Sequence, residues 1–281
     1  MLSYAPSSLN SDAVREHLTT SAAIASPYLQ TAINAAANAL DQIQKVLQSA
    51  QLEVEFKQDA SPVTQADKAA EQAIRKQIKT DFPEHGIFGE EYGREQGAED
   101  DYLWLIDPID GTKCFIRQLP FYSIQIALMH RGQIIMGLSC APLMHELAYA
   151  TLGGGAFLNG KSLAVSQVQN IDRCSLSVGN LKWEPEDQHW QQYAAISREV
   201  QLSRGYGDFF SYHRLACGQV DAVIEQGLNI LDIAALAIIV TEAGGKFTNL
   251  QGQSITLSTE SVLATATSEL HQALKQRFIN A

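Results

Sequence analysis

Apolar residues change their spacing along this chain, and the changes mark its elements. Through residues 11–50, Ile24, Leu29, Ile33, Leu40, Ile43 and Leu47 recur at helical intervals, which predicts one or two helices with a core-facing stripe. Residues 60–67 read as a loop. A helix follows over residues 66–81, with Ala70, Ala73, Ile74 and Ile78 on one face. Asp67 stands near its start, where a carboxylate suits a cap on free N–H groups. The spacing then becomes that of strands. Ile87-Phe88-Gly89 reads as a short strand ending at Glu90-Glu91, residues 94–101 as an exposed polar loop, and residues 102–106 as a buried strand. Residues 121–129 and 133–141 form a predicted hairpin about His130-Arg131-Gly132, with a third strand at 146–152.

The second half alternates strand and helix. Strands are expected at 174–179, 220–225, 246–248 and 261–266, and helices at 185–197, 209–218 and 269–279. A strongly apolar helix spans 232–243, opened by Asp232 and stopped by Gly244-Gly245. The glycine-rich stretch 153–160 lacks the Gly-Lys-Ser/Thr ending of a P-loop; its Asn159-Gly160 pair reads as a hairpin turn and as a place where two halves meet. There is no internal repeat and no low-complexity linker.

The densest chemistry lies at Asp107-Pro108-Ile109-Asp110-Gly111-Thr112. Pro108 favours an extended Asp107, and Gly111 permits a sharp turn. Two carboxylates at the end of a rigid strand suit either a solvated turn or a shared cation, and hard divalent ions take oxygen ligands of this kind. Glu90 and Glu91 are adjacent on an extended segment, so only one faces that point.

Composition narrows the classes. The 281 residues are 46% hydrophobic with a net charge of -11, which argues against global disorder, a nucleic-acid surface or an anionic membrane partner. Four scattered cysteines without C-x-x-C spacing point away from disulfides or thiolate zinc and towards a reducing cytoplasm. No signal peptide is evident, and no apolar run approaches the roughly 20 residues that span a bilayer.

In order along the chain, Gly89-Glu90-Glu91, Asp107-Pro108-Ile109-Asp110-Gly111-Thr112, and Asp232-Ile233-Ala234-Ala235 with Thr241-Glu242-Ala243-Gly244-Gly245 resemble the inositol monophosphatase superfamily. These are Mg²⁺-dependent, typically lithium-sensitive phosphomonoesterases. The resemblance implies an α/β fold of alternating αβαβα layers. An N-terminal half, residues 1–155, would hold a large antiparallel sheet and most metal ligands. A C-terminal half, residues 156–281, would hold a smaller mixed sheet. Metal ligands would be the carboxylates of Glu90, Asp107, Asp110 and Asp232 with the Ile109 carbonyl, holding two or three Mg²⁺. Asp67 would pair with Thr112 to orient the attacking water together with Glu90. The N–H groups of Gly111 and Thr112 would bind phosphate, with Lys113 assisting, and the protein would be a cytoplasmic homodimer. Attack would be direct, without a phosphoenzyme.

The stretch Thr112-Lys113-Cys114-Phe115-Ile116 and the stretch Gly207-Asp208-Phe209-Phe210-Ser211-Tyr212 look more like histidinol-phosphate phosphatases. Glu225 and Asp208 suit an ammonium group or imidazole on the alcohol. Glu225 equally suits inositol hydroxyls, so inositol 1-phosphate competes, followed by a 3′-phosphoadenosine nucleotide with Arg204 and Arg214 as candidate cations. Fructose 1,6-bisphosphate ranks lower, for lack of a second phosphate pocket. An inactive relative serving as a binding or regulatory subunit is the reading from another class. Two departures from the family bear on the pocket wall: Ile230-Leu231 replace an aromatic before Asp232, and Gln118 stands where glycine is frequent.

Overall fold

A computed structural model describes residues 9–20, 26–48, 54–56, 62–97, 99–180 and 188–279. Ile24, the first eight residues and residues 185–187 of the expected helix therefore lie outside the described residues. Helices α1 (Ser11–Thr20) and α2 (Pro27–Gln48) precede a small hairpin, β1 (Val54–Phe56) with β2 (Pro62–Thr64). Helix α3 (Gln65–Asp81) follows, then β3 (His85–Gly89), β4 (Gly93–Glu95) and β5 (Glu99–Asp110). A one-turn helix, α4 (Thr112–Ile116), leads into β6 (Ser123–His130), β7 (Gln133–Ala141), β8 (Glu146–Thr151), β9 (Gly155–Leu158) and β10 (Lys161–Ser162). The remainder is β11 (Ser175–Val178), α5 (Gln188–Glu199), β12 (Leu202–Arg204), α6 (Asp208–Ala216), β13 (Ala222–Gln226), α7 (Ile230–Glu242), β14 (Lys246–Thr248), β15 (Ser261–Thr265) and α8 (Ser268–Ile279).

The strands form an eight-stranded sheet in the order β10-β9-β8-β7-β6-β5-β3-β4 and a five-stranded sheet in the order β12-β11-β13-β15-β14. The smaller sheet is mixed, as expected: β11 pairs in parallel with β12 and β13, while β15 runs antiparallel to β13 and β14. The larger departs from a purely antiparallel sheet at one pair, because β3 and β5 run parallel. Residue 155 falls at the start of β9, so β9 and β10 continue the large sheet beyond it. Asn159 and Gly160, both at positive φ, turn β9 into β10, as the Asn-Gly reading requires.

Alternation of side chains across strands builds three cores. On β5, Trp104 and Ile106 face α1, α2 and α3, whereas Leu103 and Leu105 face α6 and α7. On β13, Val223 joins that central core, while Ala222 and Ile224 face α5 and α8. The layers are therefore helices, large sheet, helices, small sheet, helices. Helix α7 is apolar on nearly all sides because it lies between the sheets. Its approach to β7 is close: a Cβ on Gly137 would stand 2.6 Å from both Ala235 O and Ile238 Cγ2.

Three local expectations change. Residues 94–101 are not a free loop, since Gly93–Glu95 forms an edge strand and β5 begins at Glu99. A short, charged strand is common at a sheet edge. Strand β5 does not stop at Ile106 but runs on through Asp110. The apolar helix begins at Ile230, two residues before Asp232.

Candidate active site

Two parallel strands start the site, β3 ending where β5 runs on. Gly89 of β3 pairs with Ile106 of β5, and the next amide, Glu90 N–H, donates to Ile106 O at 3.2 Å. Glu90 and Asp107 therefore lie side by side just past the last β3–β5 pair, and their side chains meet within hydrogen-bonding reach. Of the two adjacent glutamates, Glu90 lines the cavity. Glu91 turns away, and its N–H donates to the buried Glu71 at 2.6 Å.

Residues three apart on a regular strand face opposite ways. Here the register slips: Asp107 opposes Gln125 and Asp110 opposes Ser123, so β5 carries one extra residue against β6. This bulge turns both carboxylates to one side. Asp107 Oδ1 accepts from Ile109 N–H at 2.9 Å, and Asp110 Oδ2 accepts from the Ser123 hydroxyl at 3.2 Å. Gly111, at φ +89°, makes the turn into α4, bringing the backbone of Gly111 and Thr112 and the side chain of Lys113 to the cavity.

Asp67 and Asp232 share a local design that differs from a simple N-cap. Each is the third residue of its helix. Thr64 caps α3 and its N–H donates to Asp67 Oδ2 at 2.8 Å; Asn229 caps α7 and its N–H donates to Asp232 Oδ2 at 2.9 Å. Both are capping boxes, so the cap fixes one carboxylate oxygen and leaves the other for other partners. Asp67 Oδ1 accepts from Thr112 Oγ1 at 3.2 Å, a hydroxyl that also reaches the Ile109 carbonyl at 3.1 Å.

Oxygens of Asp107, Asp110 and Asp232 all lie within 4.8 Å of one another. Those three residues, with Glu90, Ile109 and Thr112, line one cavity of about 390 Å³. Asp208 and Glu225 line it too, with Tyr212, Asn180 and Asn229. Burial drives the carboxyls of Asp107 and Asp110 well above the ordinary range, reinforced by repulsion among the acids. The same causes push Asp232 to about 7 and Glu225 to about 8, although hydrogen bonds from Asn229 and Tyr212 oppose the rise. Burial also raises Asp67 and Asp208.

Every residue of the candidate set thus reaches the cavity or, for Asp67, stands directly behind Thr112. Gln118, Ile230 and Leu231 do not line it. Gln118 is exposed at φ +58°, a conformation that favours glycine, and Ile230 and Leu231 are buried in the central core. Sequence reasoning missed Thr64, Asn229 and Tyr212. The pattern T/N-x-x-D signals the two caps. Tyr212, whose hydroxyl donates to Glu225 at 2.7 Å, reads as an ordinary helix residue, because only the fold faces α6 towards β13.

Residues 25–280 match the inositol monophosphatase family. A histidinol-phosphatase of Streptomyces coelicolor is 40% identical over 212 residues, 72% of this chain and 79% of its own length. An inositol monophosphatase of Dictyostelium discoideum is 33% identical over 244 residues, 84% of this chain and 89% of its own. Among solved structures, the extragenic suppressor protein suhB of Bartonella henselae superposes with a TM-score of 0.83 at 27% identity, covering 91% of this chain and all of that one. This is the layered fold of a phosphatase class that works on phosphate esters. The chain belongs to the inositol monophosphatase family.

Proposed function

We propose that the protein is a Mg²⁺-dependent phosphomonoesterase whose substrate alcohol carries positive charge, with histidinol phosphate the best fit. The observation that carries the substrate is the balance of the cavity wall: among the described residues, six carboxylates, from Glu90, Asp107, Asp110, Asp208, Glu225 and Asp232, face one cation, Lys113. Glu90, Asp107, Asp110 and Asp232 are the ligands the family resemblance implies. Asp208 and Glu225 remain, and both suit an ammonium or imidazole group. Relatives named histidinol-phosphatase at 40% and 36% identity support the same reading.

The residues fit hard cations. The donors are all oxygens, three buried or half-buried carboxylates converge within 4.8 Å, and their mutual repulsion demands compensation. Glu90, Asp107, Asp110, Asp232 and the Ile109 carbonyl would hold two or three Mg²⁺. When bound, Mg²⁺ neutralises phosphoryl oxygens, lowers the pKa of water and stabilises a leaving alkoxide. The chain supplies the rest. Thr112 donates its hydroxyl proton to Asp67 or to Ile109 O, so its oxygen is free to accept a hydrogen bond from a water. Glu90, which lines the same cavity, accepts that water's other proton. The N–H groups of Gly111 and Thr112, with Lys113, orient the phosphoryl group. In this reading residues 1–155 contribute water orientation and most ligands, while residues 156–281 contribute Asp232 and the groups that read the alcohol. Lithium inhibition, a cytoplasmic location and a homodimer belong to the same reading.

A substrate with a second phosphate is disfavoured. Arg204 is exposed, Arg214 is taken by Glu146 and Gln219, and neither lines the cavity. Inositol 1-phosphate is the competing substrate, since its hydroxyls also suit Glu225, but it would bring no positive charge to Asp208 beyond that of Lys113. Phosphate release from histidinol phosphate, inositol 1-phosphate, 3′-phosphoadenosine 5′-phosphate and p-nitrophenyl phosphate, each with Mg²⁺, separates these. The kcat/KM for histidinol phosphate is expected to lead by about tenfold or more, the worth of one charge-assisted hydrogen bond. Parity with p-nitrophenyl phosphate would remove the substrate assignment.

A further inference from the structure

Behind Asp110 a file of buried polar side chains crosses the large sheet, and the chemistry above makes no use of it. Ser123 donates to Asp110, and Gln125 Nε2 lies 2.7 Å from Ser123 Oγ and 3.1 Å from Ser139 Oγ. Ser139 Oγ meets His213 Nε2 at 2.9 Å, and His213 Nδ1 meets Glu146 Oε2 at 2.8 Å. Arg214 ends the file with an ion pair to Glu146. The sheet aligns these groups. Ser123 and Gln125 are two apart on β6, and Gln125 stands opposite Ser139 on β7. None of Ser123, Gln125, Ser139 or His213 is more than 1% exposed.

The two ends fix the direction of every bond. At the near end the Ser123 hydroxyl donates to Asp110, so its oxygen accepts from Gln125. At the far end, burial would raise the Glu146 carboxyl, yet His213 and Arg214 hold it below its ordinary value. Burial lowers His213, which is therefore neutral: Nδ1 donates to Glu146 and Nε2 accepts. Ser139 donates to Nε2, and its oxygen accepts from Gln125. Both N–H groups of Gln125 are thereby assigned. Its buried Oε1 has no hydrogen-bond partner among the described residues.

We infer that Gln125, oriented through Ser139 by the His213–Glu146 pair, is a positioning residue for Asp110. It keeps the Ser123 hydroxyl turned towards one carboxylate oxygen, so the carboxylate cannot swing and its remaining lone pairs stay aimed at the cavity. The inference rests on the phosphatase reading, in which Asp110 holds Mg²⁺. Partners that orient a ligating carboxylate raise metal affinity without touching metal or substrate.

Calorimetric titration of MgCl₂ into the full-length protein tests this without turnover. Gln125→Met keeps the bulk and removes both donors; Ser139→Ala interrupts the file one step farther away. The Mg²⁺ Kd is expected to rise about tenfold in Gln125→Met and about threefold in Ser139→Ala. The KM for the phosphate ester at saturating Mg²⁺ should stay within about twofold of the wild type, since neither residue lines the cavity. Should Gln125→Met not fold, Ser139→Ala, which deletes a single oxygen, still decides. Folded variants with unchanged Mg²⁺ affinity overturn the inference, even if their melting temperatures fall. A wild-type protein that takes up no Mg²⁺ overturns the phosphatase reading beneath it.

Discussion

Asp110 is held by a bulge, a serine and a ring of like charges, so its single negative charge matters more than its shape. Asp110→Asn keeps the shape and removes the charge. Turnover should fall about a thousandfold, the scale seen when a preorganised electrostatic group is lost. Far-UV circular dichroism and melting temperature should hold, because burial and neighbouring acids already oppose that charge. Retained turnover would contradict the ligand assignment. Glu225 carries a different role at the same scale. Glu225→Gln should raise KM for histidinol phosphate about tenfold, the worth of one charge-assisted contact, while p-nitrophenyl phosphate changes little. An equal loss on both esters would assign Glu225 to structure. The individual site residues were legible because carboxylates, glycine and proline declare their chemistry locally. Ser123, Gln125 and Tyr212 were not, since each matters only through a partner on another strand or helix.

Caps, a bulge and a parallel pair aim the site at the scale of elements. Helices α3 and α7 each present an aspartate from the first turn through a capping box, so the device that starts the helix also fixes the carboxylate. Asn229→Ala removes the α7 cap and should cost about 1 kcal/mol of stability. Asp232 keeps the residue-229 backbone N–H but loses the Asn229 side-chain contact, so the Mg²⁺ concentration for half-maximal activity should rise by about twofold as well. Denaturant titration and a Mg²⁺ activation curve read the two effects, and a stability loss with an unmoved activation curve would deny the cap its part in aiming Asp232. Periodicity foretold α3, α7, β6 and β7 closely, because strong apolar patterns are local. It missed β4, a charged edge strand, and the continuation of β5 through Asp107 to Asp110, because pairing with β6 overrides a proline and two acids.

For the whole molecule, the clustered acids make stability depend on pH and metal together. Asp232 titrates at about 7 and Glu225 at about 8 in the fold, against ordinary values of 3.8 and 4.5. Between pH 6.5 and 8 the folded chain therefore holds more protons than the unfolded chain, and stability falls as pH rises. Below that window His213 and His271, both lowered by burial, act with the opposite sign. The melting temperature in EDTA should drop from pH 6.5 to 8, and Mg²⁺ should raise it more at pH 8, where the ligands are ionised. A Mg²⁺ shift that is the same at both pH values would count against a carboxylate metal site. The sequence by itself determined most types of element and the oxygen chemistry of the site, because periodicity and side-chain donors belong to short stretches of chain, and it implied the layered class through its motifs' resemblance to the family. Only the tertiary structure decided that Asp67, Glu90, Asp110, Glu225 and Asp232 converge. Their separation depends on which strands run parallel, where one strand bulges and which helix lies between the sheets, and those are set by packing between residues far apart in the chain.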